Sequence, residues 1–498
     1  MATRRGPGLR VATARGGVVN AVFLSGAEGL VLLQGLLATA LLGPDAIGLY
    51  GVVTTTAMTI VALRRVGIDE AFVQERATDE REEFQRAFTV ELGLGLAAAL
   101  LIAVLAPVLA AVYDDDRLLA LTLAVAYLPV AFALQAPQWV FFKRMDYVRL
   151  RSLQAIVPLG TVAVTVPLLL AGVGVWALVI GPLCGNVAAV LAAWRASPYP
   201  LRLRPDRRAA RRYLRFSWPV FVTAATALLV AQGQIAVFGI SDGLAAAGYI
   251  TLAATLTRYV DRADQILATT IYPAIVRVRE RADVLEELFA KANRLTLMWA
   301  FPFGAGFALF GADLVRFVLG DDWDGAIVLL GGLAVAGALQ QVGYNWFAFY
   351  RARGESWPQA VESGVLAASF ALFAVPGALL GGDWWFVAGR LACTACVLGV
   401  RRVYVRRLLP GARLGVVALR AVVPVALASA PVLIVRFALW GGDRSLGQAL
   451  AELVVWLVVL AVATRRLEGD LLGELRGYLR APLGDDVPVA AARGGSAA

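Results

Sequence analysis

At 498 residues, 59% hydrophobic and with a mean hydropathy of +0.72, the chain carries more apolar side chain than the core of a water-soluble domain absorbs. It has no histidine, which excludes imidazole triads, histidine metal sites and imidazole proton relays. A net charge of +10 would point to nucleic acid in a soluble chain, but here the basic residues concentrate in alternate loops, the pattern of a polytopic membrane protein with no nucleic-acid partner.

A span needs about 20 mostly apolar residues, and its backbone must bond to itself, so the spans are predicted to be helices. Residues 1–16 form a basic cytoplasmic arm with Arg4, Arg5, Arg10 and Arg15. The apolar run after it exceeds a signal-peptide core and is read as an uncleaved first span. Spans are predicted near 17–42, 46–67, 87–112, 118–141, 152–172 and 174–194, a first six-helix bundle over 17–194. A basic connector, 195–215, follows. The second bundle, 216–404, has spans near 216–240, 244–270, 294–319, 325–350, 359–380 and 383–404. Two further spans, near 414–440 and 446–464, lie within 405–465, and a cytoplasmic tail occupies 466–498 with a surface helix near Leu471–Leu479. The reading is an all-α polytopic membrane protein of about 14 transmembrane helices, two six-helix bundles plus two C-terminal helices.

Arg117, Arg316, Arg436 and Arg444 are assigned to the outer side, Arg390 and Arg420 to mid-span, and all other basic residues to the cytoplasm. Both termini are then cytoplasmic. The outer connections are short, from Gly43-Pro44-Asp45 to Gly441–Ser445, and none has room for a catalytic ectodomain. The connector holds eight arginines, with Pro198, Pro200 and Pro205 breaking its start and Asp206 placed to cap an amphipathic helix through Arg215. It reads as an interfacial segment on anionic lipid headgroups.

The two halves share a plan. Gly48-Leu49-Tyr50, Arg64-Arg65, a charged connector and Tyr113-Asp114-Asp115-Asp116 recur as Gly248-Tyr249-Ile250, Arg258 and Arg262, a second connector and Gly320-Asp321-Asp322-Trp323. Internal repeats of this size are a common plan in transporters, whose sites lie where the halves meet.

Charges within spans cost on the order of 3 kcal/mol by insertion scales and so mark candidate sites. Glu28 lies near the middle of the first span with Gln34 on a different face; it serves a cavity or a partner helix. Arg258, Asp261, Arg262 and Gln265 recur at three- and four-residue spacing along one face of the eighth span. Either Asp261 neutralises one arginine and a second cation stays free for an anion, or the group marks a span end where arginines reach headgroups. Arg64 and Arg65 hold the matching place in the first half, where Asp69 is one turn from Arg65. Gln232 and Gln234 in the seventh span, and Gln340, Gln341, Tyr344 and Asn345 in the tenth, suit sugar contact or interhelical hydrogen bonding. Glu91 and Arg390 are weaker candidates. No phosphate loop, zinc spacing or nucleophile elbow appears, so no cofactor, metal or catalytic residue is assigned. Cys393-x-x-Cys396 matches a redox spacing but lies in a helix bounded by Gly389 and Gly399 and reads as packing.

The stretch Leu42-Gly43-Pro44-Asp45-Ala46-Ile47-Gly48-Leu49-Tyr50 leading to Val66-Gly67-Ile68 carries a family likeness. So does Ile271-Tyr272-Pro273-Ala274 through Phe301-Pro302-Phe303-Gly304 to Leu319–Trp323. On these residues the sequence resembles the polysaccharide flippases of the multidrug/oligosaccharidyl-lipid/polysaccharide (MOP) exporter superfamily, over roughly residues 17–465. The resemblance implies two bundles facing a central cavity, and passage of a polyprenyl-diphosphate-linked oligosaccharide across the cytoplasmic membrane by alternating access. It implies polysaccharide assembly enzymes as further partners. An ion-coupled drug exporter of the same fold is the alternative, and an integral glycosyltransferase or polymerase is disfavoured by the short outer loops.

Overall fold

The computed structural model describes residues 9–64, 68–74, 79–144, 146–208, 210–211, 230, 232–261, 275, 281–353, 355, 357–438 and 444–473. No strand occurs among the described residues. Nine of their helices are long and apolar enough to cross a membrane: Gly29–Arg64, Glu80–Tyr113, Arg117–Lys143, Val148–Leu170, Gly174–Ala196, Asp283–Leu319, Trp357–Gly381, Leu414–Ala438 and Leu446–Leu467. Gly243–Thr257, Ala326–Gln340 and Asp383–Leu408 occupy the predicted eighth, tenth and twelfth spans. Their outward faces are apolar, with Leu100, Leu380 and Ile434 66, 87 and 65% exposed, a surface that requires lipid. The protein is an all-α polytopic membrane protein.

Local chemistry sets the helix boundaries. Gly43 lies between the first two spans at φ 71 and ψ 169, a conformation that favours glycine, so the two helices abut with no loop between them. Pro44 then falls in the first turn, where a missing N–H costs nothing. The third span starts before its apolar run, at Asp79, whose side chain accepts from the Arg81 and Glu82 amides. The tenth span, predicted as one helix over 325–350, is broken: Ala326–Gln340 ends in a turn over 341–345, with Gly343 at φ 71, before Trp346–Ala352 resumes. The break is stable because the freed Gln340 and Val342 carbonyls accept from Arg401 Nη1. Arg401 is 1% exposed and held bidentately by Glu362 at 2.9 and 3.0 Å.

The helices up to Ala196 pack together, as do those from Gly243 onward, and the second span meets the eighth along a seam between the two groups. A Cβ at Gly48 would collide with the Leu244 carbonyl, and one at Gly248 with the Pro44 carbonyl. A Cβ at Gly51 would strike Thr251. Gly48 meets Leu244, the repeat equivalent of Pro44, while Gly248 meets Pro44 and Gly51 meets its own equivalent Thr251, so the duplicated glycines pair across a local pseudo-twofold relation. Gly239 also takes the Tyr113 ring against its backbone. Leu49, Val52 and Val53 complete the seam against Ala247, Ile250 and Ala253. These residues lie at the end that the arginine distribution assigns to the outside.

Arg436 and Arg444, assigned to the outer side, are withdrawn among the helices: Arg436 donates to Glu452 at 2.9 and 3.2 Å and to the Leu309 carbonyl, and Arg444 bonds both Asp313 oxygens at 2.7 Å and also reaches Glu452. Lipid cannot solvate a guanidinium, so proximity to a span end gave way to pairing with three helices. Arg294 pairs with Glu468 at the other end of the ninth span. The connector, expected to lie on headgroups, has no regular secondary structure over 201–206 and bonds to the third span. Gln85 donates to the Pro200 carbonyl, the Arg204 amide to Thr89 and the Arg204 side chain to Glu82, while Arg86 reaches Asp206. Of its expected helix, residues 207–208 and 210–211 are described and helical.

Candidate functional site

The seam is flanked by polar groups from both halves. Arg258 begins a short 3-10 turn, Arg258–Asp261, that closes the helix Gly243–Thr257. Its side chain is exposed and within electrostatic range of the Tyr50 hydroxyl of the second span. It forms no ion pair among the described residues. Asp261, expected to neutralise an arginine, accepts from Gln341 Nε2 at 2.6 Å and so ties the eighth span to the break in the tenth. Gln341 is buried with its Oε1 unbonded, and Asn345 is 6% exposed with both side-chain polar atoms unbonded. Asn293 closes the break from the ninth span, donating to the Gln341 carbonyl and accepting from the Gly343 amide, each at 3.1 Å. Tyr344 lies under the Arg401 guanidinium at 5.2 Å. Gln340 is half-buried.

The first half presents a different wall. Arg64 is not free: its Nη1 lies 2.6 Å from Glu91 Oε1, and both side chains are largely buried. This pair spans helices two and three and gives Arg64 a partner on another helix. Gln34 is half-buried with Oε1 unbonded. An amide chain missed in the sequence runs nearby in the same half: Gln138 donates to Gln135 at 3.1 Å, Gln135 to Asn186 at 3.0 Å, and Asn186 to the Pro182 carbonyl, with Tyr127 also bonded to Asn186. The signal was available, since all three amides interrupt apolar runs as Gln232 does. Gln234 is buried and Gln232 half-buried in the seventh span. Arg65, Arg262 and Gln265, and the side chain of Glu28, lie outside the described residues.

Of the predicted set, then, Arg258 lies within electrostatic range of Tyr50 and Asp261 joins Gln341, whereas Arg64 is absorbed by Glu91. No group of three or more acidic or cysteine ligands able to hold a metal occurs among the described residues.

Two helical groups close on a glycine seam, with amides beside it and a guanidinium that has no ion pair among the described residues, and solved membrane transporters share this fold. The structure matches "Lipid II flippase MurJ, inward closed conformation" at TM-score 0.71 and 12% identity, covering 91% of this chain and 100% of that one. It matches the inward-facing conformation of a multidrug resistance MATE family transporter of the MOP superfamily at TM-score 0.64 and 16% identity, covering 77% and 96%. An outward-facing conformation of a MATE family transporter gives 0.53 at 18%, covering 82% and 98%. The chain belongs to the polysaccharide biosynthesis protein family, whose model matches residues 37–328. A search of curated proteins finds no match.

Proposed function

We propose that the protein moves a polyprenyl-diphosphate-linked oligosaccharide across the cytoplasmic membrane by alternating access, for cell-surface polysaccharide assembly. The observation that carries the reading is Arg258: an exposed guanidinium without a carboxylate partner among the described residues, set on the inner side of a seam sealed by Gly48 and Gly248. A diphosphate needs cations in a poorly solvated place, where arginine contacts are strong and bidentate. The amides Gln232, Gln234, Gln340 and Gln341, with Tyr344, suit the hydroxyls and ring faces of sugars, and the polyprenyl tail stays in lipid. Membership of a polysaccharide biosynthesis family supports this substrate over drugs. The process forms no covalent bond in the glycan, so the reading is of a transporter rather than an enzyme, without a cofactor.

The test is reconstitution in liposomes with a short-chain lipid-linked oligosaccharide in one leaflet and a lectin or glycosidase outside. Wild-type protein is expected to expose the glycan, and Arg258→Gln to slow exposure about 10- to 100-fold, the worth of one or two charge-assisted hydrogen bonds. Failure of the wild-type protein to move this lipid, together with efflux of cationic dyes, would instead establish the small-molecule exporter.

A further inference from the structure

Five largely buried arginines among the described residues have carboxylate partners. Arg64 has Glu91, Arg294 has Glu468, Arg401 has Glu362, Arg436 has Glu452, and Arg444 has Asp313 and Glu452. Arg390 has none among the described residues: its Nε and Nη1 are closed off from solvent and bonded to nothing. The residue as a whole is only half-buried, so another part of the side chain lies at an accessible surface. A guanidinium with unmet donors deep in a span is costly unless an anion visits it.

The surroundings are built around this side chain. Its guanidinium carbon lies 5.8 Å from the centre of the Phe370 ring. Phe370 opens a π-helical turn, Phe370–Ala374, in the eleventh span, a distortion found often at functional sites. On the seventh span Gly233 abuts the same ring, since a Cβ there would come within 3.1 Å of Phe370 Cε1. Gln232 and Gln234 flank that glycine. Ser369, Cys393 and Thr394 supply the remaining polar neighbours by position, and Thr394 is engaged with the Arg390 carbonyl at 3.1 Å.

Depth separates this arginine from Arg258. Asp242 and Asp383, where the eighth and twelfth spans begin, are close enough to act on each other's charge, so the two helices start at the same membrane face. At about 1.5 Å per residue, Arg390 lies roughly 10 Å from that face and Arg258 roughly 22 Å.

We propose that Arg390 is a second phosphate-binding station, deeper than Arg258, that takes diphosphate oxygens over the Phe370 ring. The proposal rests on the flippase reading for its lipid-linked ligand, but the anion chemistry stands on Arg390 alone. The two arginines would then receive the same diphosphate in turn, Arg258 from the cytoplasmic mouth and Arg390 nearer the far leaflet.

The experiment uses the purified full-length protein in nanodiscs and follows thermal unfolding with inorganic diphosphate, and separately with a polyprenyl diphosphate, in chloride-free buffer. Wild-type protein is expected to gain thermal stability with diphosphate. Arg390→Gln removes a buried charge without a counter-ion, so it is expected to be at least as heat-stable as wild type without ligand and to lose the diphosphate-dependent gain, with affinity down 10-fold or more. Arg390→Lys keeps the charge but not the fork and is expected to retain a weakened response. Response to inorganic diphosphate but not to the polyprenyl form assigns the site to a free anion, and response to both assigns it to the substrate headgroup. The proposal is overturned if Arg390→Gln keeps the full diphosphate response, or if it unfolds early while Arg390→Lys binds no diphosphate. Liposome flipping by the wild-type protein is scored in parallel. Flipping that persists undiminished in Arg390→Gln rejects this station alone, whereas absence of flipping in wild type rejects the transport reading and leaves the diphosphate response to be judged separately.

Discussion

The contact between the ninth, thirteenth and fourteenth spans and the contact between the second and eighth spans lie in the same molecule but are built from opposite materials. The first is held by Arg436, Arg444, Asp313 and Glu452, four largely buried charges that pair with one another through Glu452 Oε2 and the Asp313 carboxylate. The second is held by backbones brought together at Gly48 and Gly248, with Leu49, Val52 and Val53 beside them. Separating buried charges exposes each to a medium that cannot solvate it, so the first contact is permanent. Glycine contacts gain dispersion only while they are close and leave no orphaned charge when they part. A joint meant to open is better made the second way, and an alternating-access cycle places its moving joint there.

The largest expected effect comes from breaking the charged contact on one side. Glu452→Ala leaves Arg436 short of its acid and Arg444 dependent on Asp313, and should cost about 3–5 kcal/mol, read as early thermal unfolding in detergent. Replacing all four residues by apolar ones of similar volume should restore most of that stability. A single variant as stable as wild type would mean that the charges are solvated after all.

Next in size is the seam. Gly48→Ala puts a methyl group into the Leu244 carbonyl and should disfavour the closed contact by about 1–3 kcal/mol, a 5- to 150-fold change in population. Thr251→Cys, placed against Gly51, should then react faster with a membrane-impermeant thiol reagent added outside a protein lacking its native cysteines. Unchanged labelling would remove the seam from the moving parts.

The smallest effect tests the solvated extreme of the comparison. In the outer connection, Arg117 bonds Asp115 at 2.6 Å and Asp45 at 3.0 Å while remaining 56% exposed. The Arg117 hydrogen bond holds the Asp115 carboxyl below the usual carboxylate range. A folded-state pKa below the unfolded one gives stability that is present above the unfolded value and lost as the pH falls through the folded value. Asp115→Asn should therefore flatten the acid limb of the unfolding curve only below the ordinary aspartate pKa, by a fraction of the Glu452 effect, because exposed pairs are worth little. A larger effect, or one near neutrality, would contradict the solvated reading.

Much of the architecture was legible in the sequence because lipid makes simple demands. Apolar runs gave the spans, and the Gly48 and Gly248 repeat became a physical contact. Partners were harder to read. Arg64 and Glu91 are 27 positions apart, Arg401 and Glu362 39, and Arg444 and Asp313 131, so a sequence displays the charges without the pairing. The break at 341–345 was hidden because its stabiliser, Arg401, arrives from another helix, while the local sequence stays amphipathic enough to continue. Arg258 stood out by spacing in the eighth span. Gln135 and Asn186 carry the same signal as Gln232, but they are 51 positions apart and their pairing is not visible in the chain.

The ninth span is fastened to the last two helices at both of its ends, by Arg294 with Glu468 on one side and by the Asp313 network on the other. Trimming the protein back to twelve spans would therefore not yield a smaller working version. It would strand an acid and a base in hydrocarbon at opposite ends of one helix, so the C-terminal pair is part of the minimum foldable unit rather than an appendage.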